Sequence, residues 1–269
     1  MKKIFLGTAL SLAFFALAFQ ASFAMEAVAV GELEGLPTFP EVTEGVDIGN
    51  LESRVLVLNQ VLDFTEEEVL SLLEKLRALK KADGDSFLFD LYEYFEDHGA
   101  AALTSIADYR EDVAALNGVD QARDLALDIR LWRSSTYDVR NKMLVNFLLL
   151  GRSESAIAIA EARSEKIDRD IARLQDAFGE AGSLRLQTLF TRALLEIEQA
   201  RAEQSSARVL FRSYMIAPEG QTAVEASLMS SEDEVVYQEA LTDALSHVGQ
   251  AYRYFIEMSR LANDLLQAN

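Results

Sequence analysis

An all-α fold is predicted for this chain: an elongated antiparallel helical bundle with coiled-coil-like long helices and a shorter-helix cap at its N-terminal side. Three observations carry that expectation. Pro37, Pro40 and Pro218 are the only prolines, so from Glu41 to Ala217 no residue forbids a helix. Apolar residues recur at alternating steps of three and four through long segments. No alternating apolar and polar run is long enough to build a sheet.

The opening "MKKIFLGTALSLAFFALAFQASFAMEA" has two lysines, an uncharged apolar segment and small residues at Ser22 and Ala24, the layout of a cleavable secretory signal over 1–24. An extracytoplasmic location, periplasmic or secreted, is the expectation, or an N-terminal membrane anchor if the signal is retained. Residues 25–46 carry five glutamates, two prolines and no Lys or Arg, and read as an acidic flexible linker. The cap, or a small subdomain, follows over 47–117, with the clustered aromatics of "SFLFDLYEYFEDHG"; Gly84 and Gly99 mark turns in it. The long-helix bundle is expected over 118–269.

Four apolar series define that bundle. They are Ala122, Leu125, Ile129, Trp132, Thr136, Val139 and Met143; then Ile157, Ala160, Ser164, Ile167, Ile171, Leu174, Phe178 and Ala181. Next come Ala193, Ile197, Ala200, Gln204, Ala207, Phe211 and Tyr214. The last runs Tyr237, Leu241, Ala244, Val248, Ala251, Phe255, Met258, Ala262 and Leu265. A spacing of this kind packs helices side by side at shallow angles. Thr65 with Glu68 and Ser231 with Glu234 have capping-box spacing, and Asn117 with Gly118 breaks a helix. Gly151 with Ser153, and Gly182 with Ser183, read as helix stops followed by starts. The last helix is expected over Ser231–Gln267.

Around "MLVNFLLLGRSESAIAIA" the charged flank of the preceding helix disappears. The uncharged run between Lys142 and Arg152 is about 13 Å long as helix, against about 30 Å of hydrocarbon, and so cannot span a membrane. Residues 143–162 read as an apolar hairpin, with Leu144, Phe147, Leu148, Leu150, Ile157 and Ile159 its main side chains, its closed end buried under the aromatics of the cap. No stable membrane span is expected after signal cleavage.

Chemistry is scarce. The net charge of −19 disfavours nucleic acid and anionic lipid as partners, and the lack of cysteine excludes disulfides, a lipoprotein anchor and thiolate metal sites. Only His98 and His247 are present, the first read as sitting at a helix end, the second as one member of a solvated stripe with Asp243 and Glu239. No motif for nucleophilic catalysis, phosphate binding, zinc or calcium occurs, so no catalytic residue, metal ligand or cofactor is assigned. One feature stands apart: Arg123, Arg130, Arg133 and Arg140, with Tyr137 among them, share one flank of a helix. This basic ridge is a candidate interaction or anion-binding surface, or else pairs with the acidic helices around it. Trp132 is expected to be buried between helices.

The functional expectation is a non-enzymatic exported bundle that acts through protein contact, with another protein or a second copy, as an envelope structural or adaptor element. The alternative is a membrane-active protein using the 143–162 hairpin.

Overall fold

The computed structural model describes residues 50–82, 86–215 and 231–267, and among them there is no strand. The chain is an all-α helical bundle. Its helices are α1 (Leu51–Ala82), α2 (Ser86–Ala114), α3 (Val119–Trp132), a π-helical turn (Arg133–Tyr137), α4 (Asp138–Phe178), α5 (Glu180–Met215) and α6 (Ser231–Gln267). The expected signal (1–24) and linker (25–46), like Gly84 and Pro218, lie outside the described residues.

The chain divides into two compact units, the boundary falling between Leu149 and Leu150 inside α4. The first holds α1, α2, α3, the π turn and the start of α4. In α1 the buried row is Leu58, Leu62, Thr65, Val69, Leu72 and Leu76, alternating steps of four and three that keep one face inward. Tyr92, Phe95, Ala102 and Ile106 of α2 and Ala122, Leu125 and Ile129 of α3 complete that core. Phe147 of α4 packs edge-on against Tyr92, with ring centroids 5.1 Å apart, and lies 5.3 Å from Phe95. Tyr92 and Phe95 of "LYEYF" thus pack on Phe147, in the first half of the apolar segment.

The second unit joins the rest of α4 to α5 and α6. Its core is the set of rows read from sequence: Ile157, Ala160, Ile167, Ile171 and Leu174 from α4 meet Ala193, Ile197 and Ala200 from α5. Val248, Ala251, Phe255, Met258 and Ala262 of α6 close it. Alanine recurring along both α5 and α6 lets the two backbones run close over their lengths.

Several local expectations are corrected. Thr65 does not start a helix; it sits inside α1, its hydroxyl donating to the Val61 carbonyl at 2.7 Å, because the apolar row runs through it without a break. The 143–162 segment is no hairpin. The helix α4 runs on through Gly151, which is buried, and the Ser153 hydroxyl donates to the Leu150 carbonyl at 2.7 Å instead of capping a new helix. A mid-helix glycine costs about 1 kcal/mol, less than the burial of one large side chain yields, and Leu148, Leu150 and Ile157 are all buried here. Ile159, by contrast, faces solvent. The break expected at Gly182 and Ser183 occurs earlier, at Gly179. Its φ of 76° is the left-handed conformation that ends a helix, and its N–H donates to the Gln175 carbonyl at 2.8 Å. The break at Asn117 and Gly118 and the helix over Ser231–Gln267 stand as expected.

Gly99 lies in mid-α2, not at a turn, where a side chain would collide with Leu73: a Cβ there would stand 2.6 Å from Cδ2 and 2.9 Å from Cγ. The glycine lets α2 approach α1. Gly99→Val should therefore lower stability by about 1 to 3 kcal/mol in urea unfolding, outweighing its gain in helix propensity.

Candidate functional site

The π turn sets the position of the polar groups in the first unit. Within it the Asp138 N–H donates to the Arg133 carbonyl five residues back, so the turn holds one residue more than an α-helix would. The sequence "RSSTY" supports the wider turn, with the hydroxyls of Ser134 and Ser135 both donating to the Leu131 carbonyl, at 3.3 and 2.6 Å. The extra residue shifts the buried face by one position. Ala122, Leu125 and Ile129 are buried as expected, but beyond them Tyr137, Asn141 and Leu144 take the inner side and Thr136 is exposed.

That shift breaks up the basic ridge. Arg123 and Arg130 remain on the surface, whereas Arg133 and Tyr137 turn inward to Glu68 of α1. The Tyr137 hydroxyl donates to Glu68 Oε2 at 2.9 Å and Asn141 Nδ2 donates to Oε1 at 3.0 Å. Arg133 places Nη2 at 3.7 Å from the same carboxylate and 3.4 Å from Asp138, while its Nη1 donates to the Thr65 hydroxyl at 2.8 Å. Its guanidinium also stands over the rings of Phe64 and Tyr137, at 5.7 and 5.5 Å. Trp132 is half-buried, stacked on Tyr137 at 5.4 Å with Tyr109 on another side. Burial first, then the Glu68 charge, pushes the Tyr137 phenol well above its usual range, so it stays protonated and donates. Tyr137 and Asn141 donate to Glu68 and Arg133 to Thr65, which makes the arrangement a lock between α1 and the π turn with the start of α4.

Arg140, the remaining ridge residue, is half-buried and bears on His98. That histidine lies inside α2 rather than at a helix end; it is buried, its ring 6.2 Å from that of Tyr137, and its Nε2 has no hydrogen-bond partner. Desolvation, reinforced by the Arg140 charge, lowers its pKa to about 4, so it is neutral at pH 7. His247 meets Glu196 of α5 across the helix pair, its Nδ1 2.7 Å from Oε2, rather than the carboxylates of its own helix. Among the described residues no group of three or more His, Cys, Asp or Glu could hold a metal ion.

Sequence reasoning missed the outer face of α5. Opposite its buried row, Leu184, Thr188, Thr191, Leu195, Ala202, Ser206 and Val209 form a second row at steps of three and four, save for one step of seven that passes over Glu198, and all are exposed. Leu184, Leu195 and Val209 leave 65%, 53% and 66% of their surface in solvent, unusual for residues of this size in register with one another. The hydroxyls of Thr188, Thr191 and Ser206 donate to carbonyls of α5 itself, at 3.0, 3.0 and 3.1 Å, so both threonines keep a methyl for contact. Glu198 is the one charged residue within about 40° of the row's centre. The spacing was legible, but the stronger series on the opposite face drew the reading. Comparison with protein-family models, with curated proteins and with solved structures finds no match to this chain.

Two outcomes test the first unit. Glu68→Ala should cost about 3 kcal/mol, because it strands the Tyr137 and Asn141 donors and takes one of its two carboxylates from Arg133, while the neighbouring exposed Glu67→Ala should change stability by less than about 0.5 kcal/mol. His98 is the second. Its folded-state pKa is below its unfolded one, so the stability it contributes is complete above about pH 6.5 and is lost as pH falls toward 4, by up to about 3 kcal/mol. Chemical denaturation across pH 7 to 4 should show a shallower loss in His98→Phe than in the parent.

Proposed function

We propose that this is a non-enzymatic exported protein that acts by binding another protein, as an adaptor or structural element of the cell envelope. The observation that supports this most is the outer row of α5. It is a line of mostly apolar and methyl-bearing side chains about 37 Å long, from Leu184 to Val209, interrupted at Glu198 and kept in solvent on a chain of net charge −19. Solitary exposed apolar residues are ordinary on any surface, but a helical row of them fits a surface kept for a partner. Export rests on the N-terminal sequence pattern. The polar groups that could have performed chemistry are engaged with each other: Glu68 with Tyr137 and Asn141, and His247 with Glu196.

A membrane-active role has less support. The helical stretch Val119–Phe178 contains an 18-residue window of mean hydropathy 1.4, of which 56% is buried, as in the core helix of a soluble bundle. Leu144, Phe147, Leu148 and Leu150 are all inward, and without a hairpin there is no tip to insert.

A photo-crosslinking residue placed at Leu195 should give discrete protein adducts in intact cells, and these should be lost when Val209→Asp interrupts the row. The same residue at Arg123, exposed on the first unit, should give none. Absence of adducts at both Leu195 and Leu184 would refute the reading.

A further inference from the structure

We infer that the outer face of α5 receives a helix whose apolar stripe is bordered by acidic residues. This inference rests on the protein-binding function proposed above and goes further by assigning the partner's chemistry. The width of the row is the first ground. Its apolar members follow heptad spacing and lie within about 40° of one line, the width of a coiled-coil seam, whereas a helix lying on lipid needs a broader apolar face.

Charge is the second ground. Although the chain as a whole is strongly acidic, α5 carries five arginines against four glutamates. Arg185 and Arg192, one heptad apart, border the row on one side; Arg201, on the other, is held by Glu161 of α4. These are the flanking positions that choose partners in paired helices. Arg185 is 71% exposed, and its contact to Glu257 is a surface pair of 3.3 Å that a partner carboxylate can replace or share. Arg192 is also exposed.

A second copy of the chain fits poorly. Pairing α5 with itself in register, parallel or antiparallel, sets Glu198 against Glu198 at the centre of the seam and offers no acidic residue to Arg192.

The test uses the purified chain and a labelled synthetic helix of about four heptads, with Leu at both seam positions and Glu at both flanking positions. A second peptide is identical except for Lys in place of Glu. Fluorescence anisotropy should show the acidic peptide binding at least tenfold more tightly than the basic one. Leu195→Asp and the paired change Arg185→Glu with Arg192→Glu should each weaken it by at least tenfold, with thermal melts unchanged. Equal binding of the two peptides, or binding that survives Leu195→Asp, would overturn the inference. So would Leu195-dependent binding to phosphatidylglycerol vesicles, or a Leu195-dependent dimer in sedimentation, in place of peptide binding. Cellular adducts at Leu195 without preference for the acidic peptide would retain protein binding as the function and reject the acidic partner. Preference for the acidic peptide without cellular adducts would do the reverse.

Discussion

One carboxylate organises the first unit. Glu68 points from α1 toward α4 with 18% of its side chain in solvent, and a charge so placed must be met by donors from the chain. Tyr137, Asn141 and Arg133 supply them, and all three come from the segment that begins at the π turn. An uninterrupted α-helix from Val119 would have carried Thr136 and Val139 inward instead. The wider turn is thus a condition of the lock, and the serine hydroxyls that meet the Leu131 carbonyl support it locally. Trp132 and Phe64 take their positions from the same groups, the first stacked on Tyr137, the second beneath Arg133.

The second unit is held differently. Small side chains on facing rows of α5 and α6 allow close backbone approach, and the polar contacts sit toward its margins. Arg201 meets Glu161 through two nitrogens, at 3.1 and 2.6 Å, and Arg208 meets Glu154 at 3.4 Å, joining α5 to α4. His247 and Glu196 join α5 to α6. Arg163 is the exception, a buried cation lying 4.9 Å over the Tyr252 ring, where the aromatic face takes the place of a carboxylate. With its inner face engaged in this way, α5 retains one side that meets no other helix among the described residues, and that side carries Leu184, Leu195 and Val209.

These arrangements separate stability from recognition. The polar residues that looked most chemical, Arg133 and Tyr137, are consumed in holding helices together. The residues with surface to offer are leucine, threonine and valine on a regular helix. Recognition on such a surface would depend on spacing and border charge rather than on a cleft, as the proposed binding of a helix requires.

Periodicity, with the absence of proline between Glu41 and Ala217, determined the all-α fold and the rows of the second unit, because a row such as Tyr237, Leu241, Ala244 and Val248 can be buried in only one helical phase, and the Ser231–Glu234 spacing marked the start of α6. It failed wherever a local signal competed with burial. Thr65 and Glu68 have the spacing of a cap, and Gly151 with Ser153 that of a break, yet both pairs lie inside helices, since the apolar residues around them are worth more buried than a cap or a turn returns. The basic ridge failed for a different reason. Its geometry assumed a constant 3.6 residues per turn, and one additional residue at Arg133–Tyr137 turned half of it toward Glu68, 65 positions earlier than Arg133 in the chain. No local pattern records a partner so distant. That the opposite row of α5, of similar period, would stay in solvent was likewise decided only by packing, since α4 and α6 cover the alanine side and no other described helix covers Leu184, Leu195 and Val209.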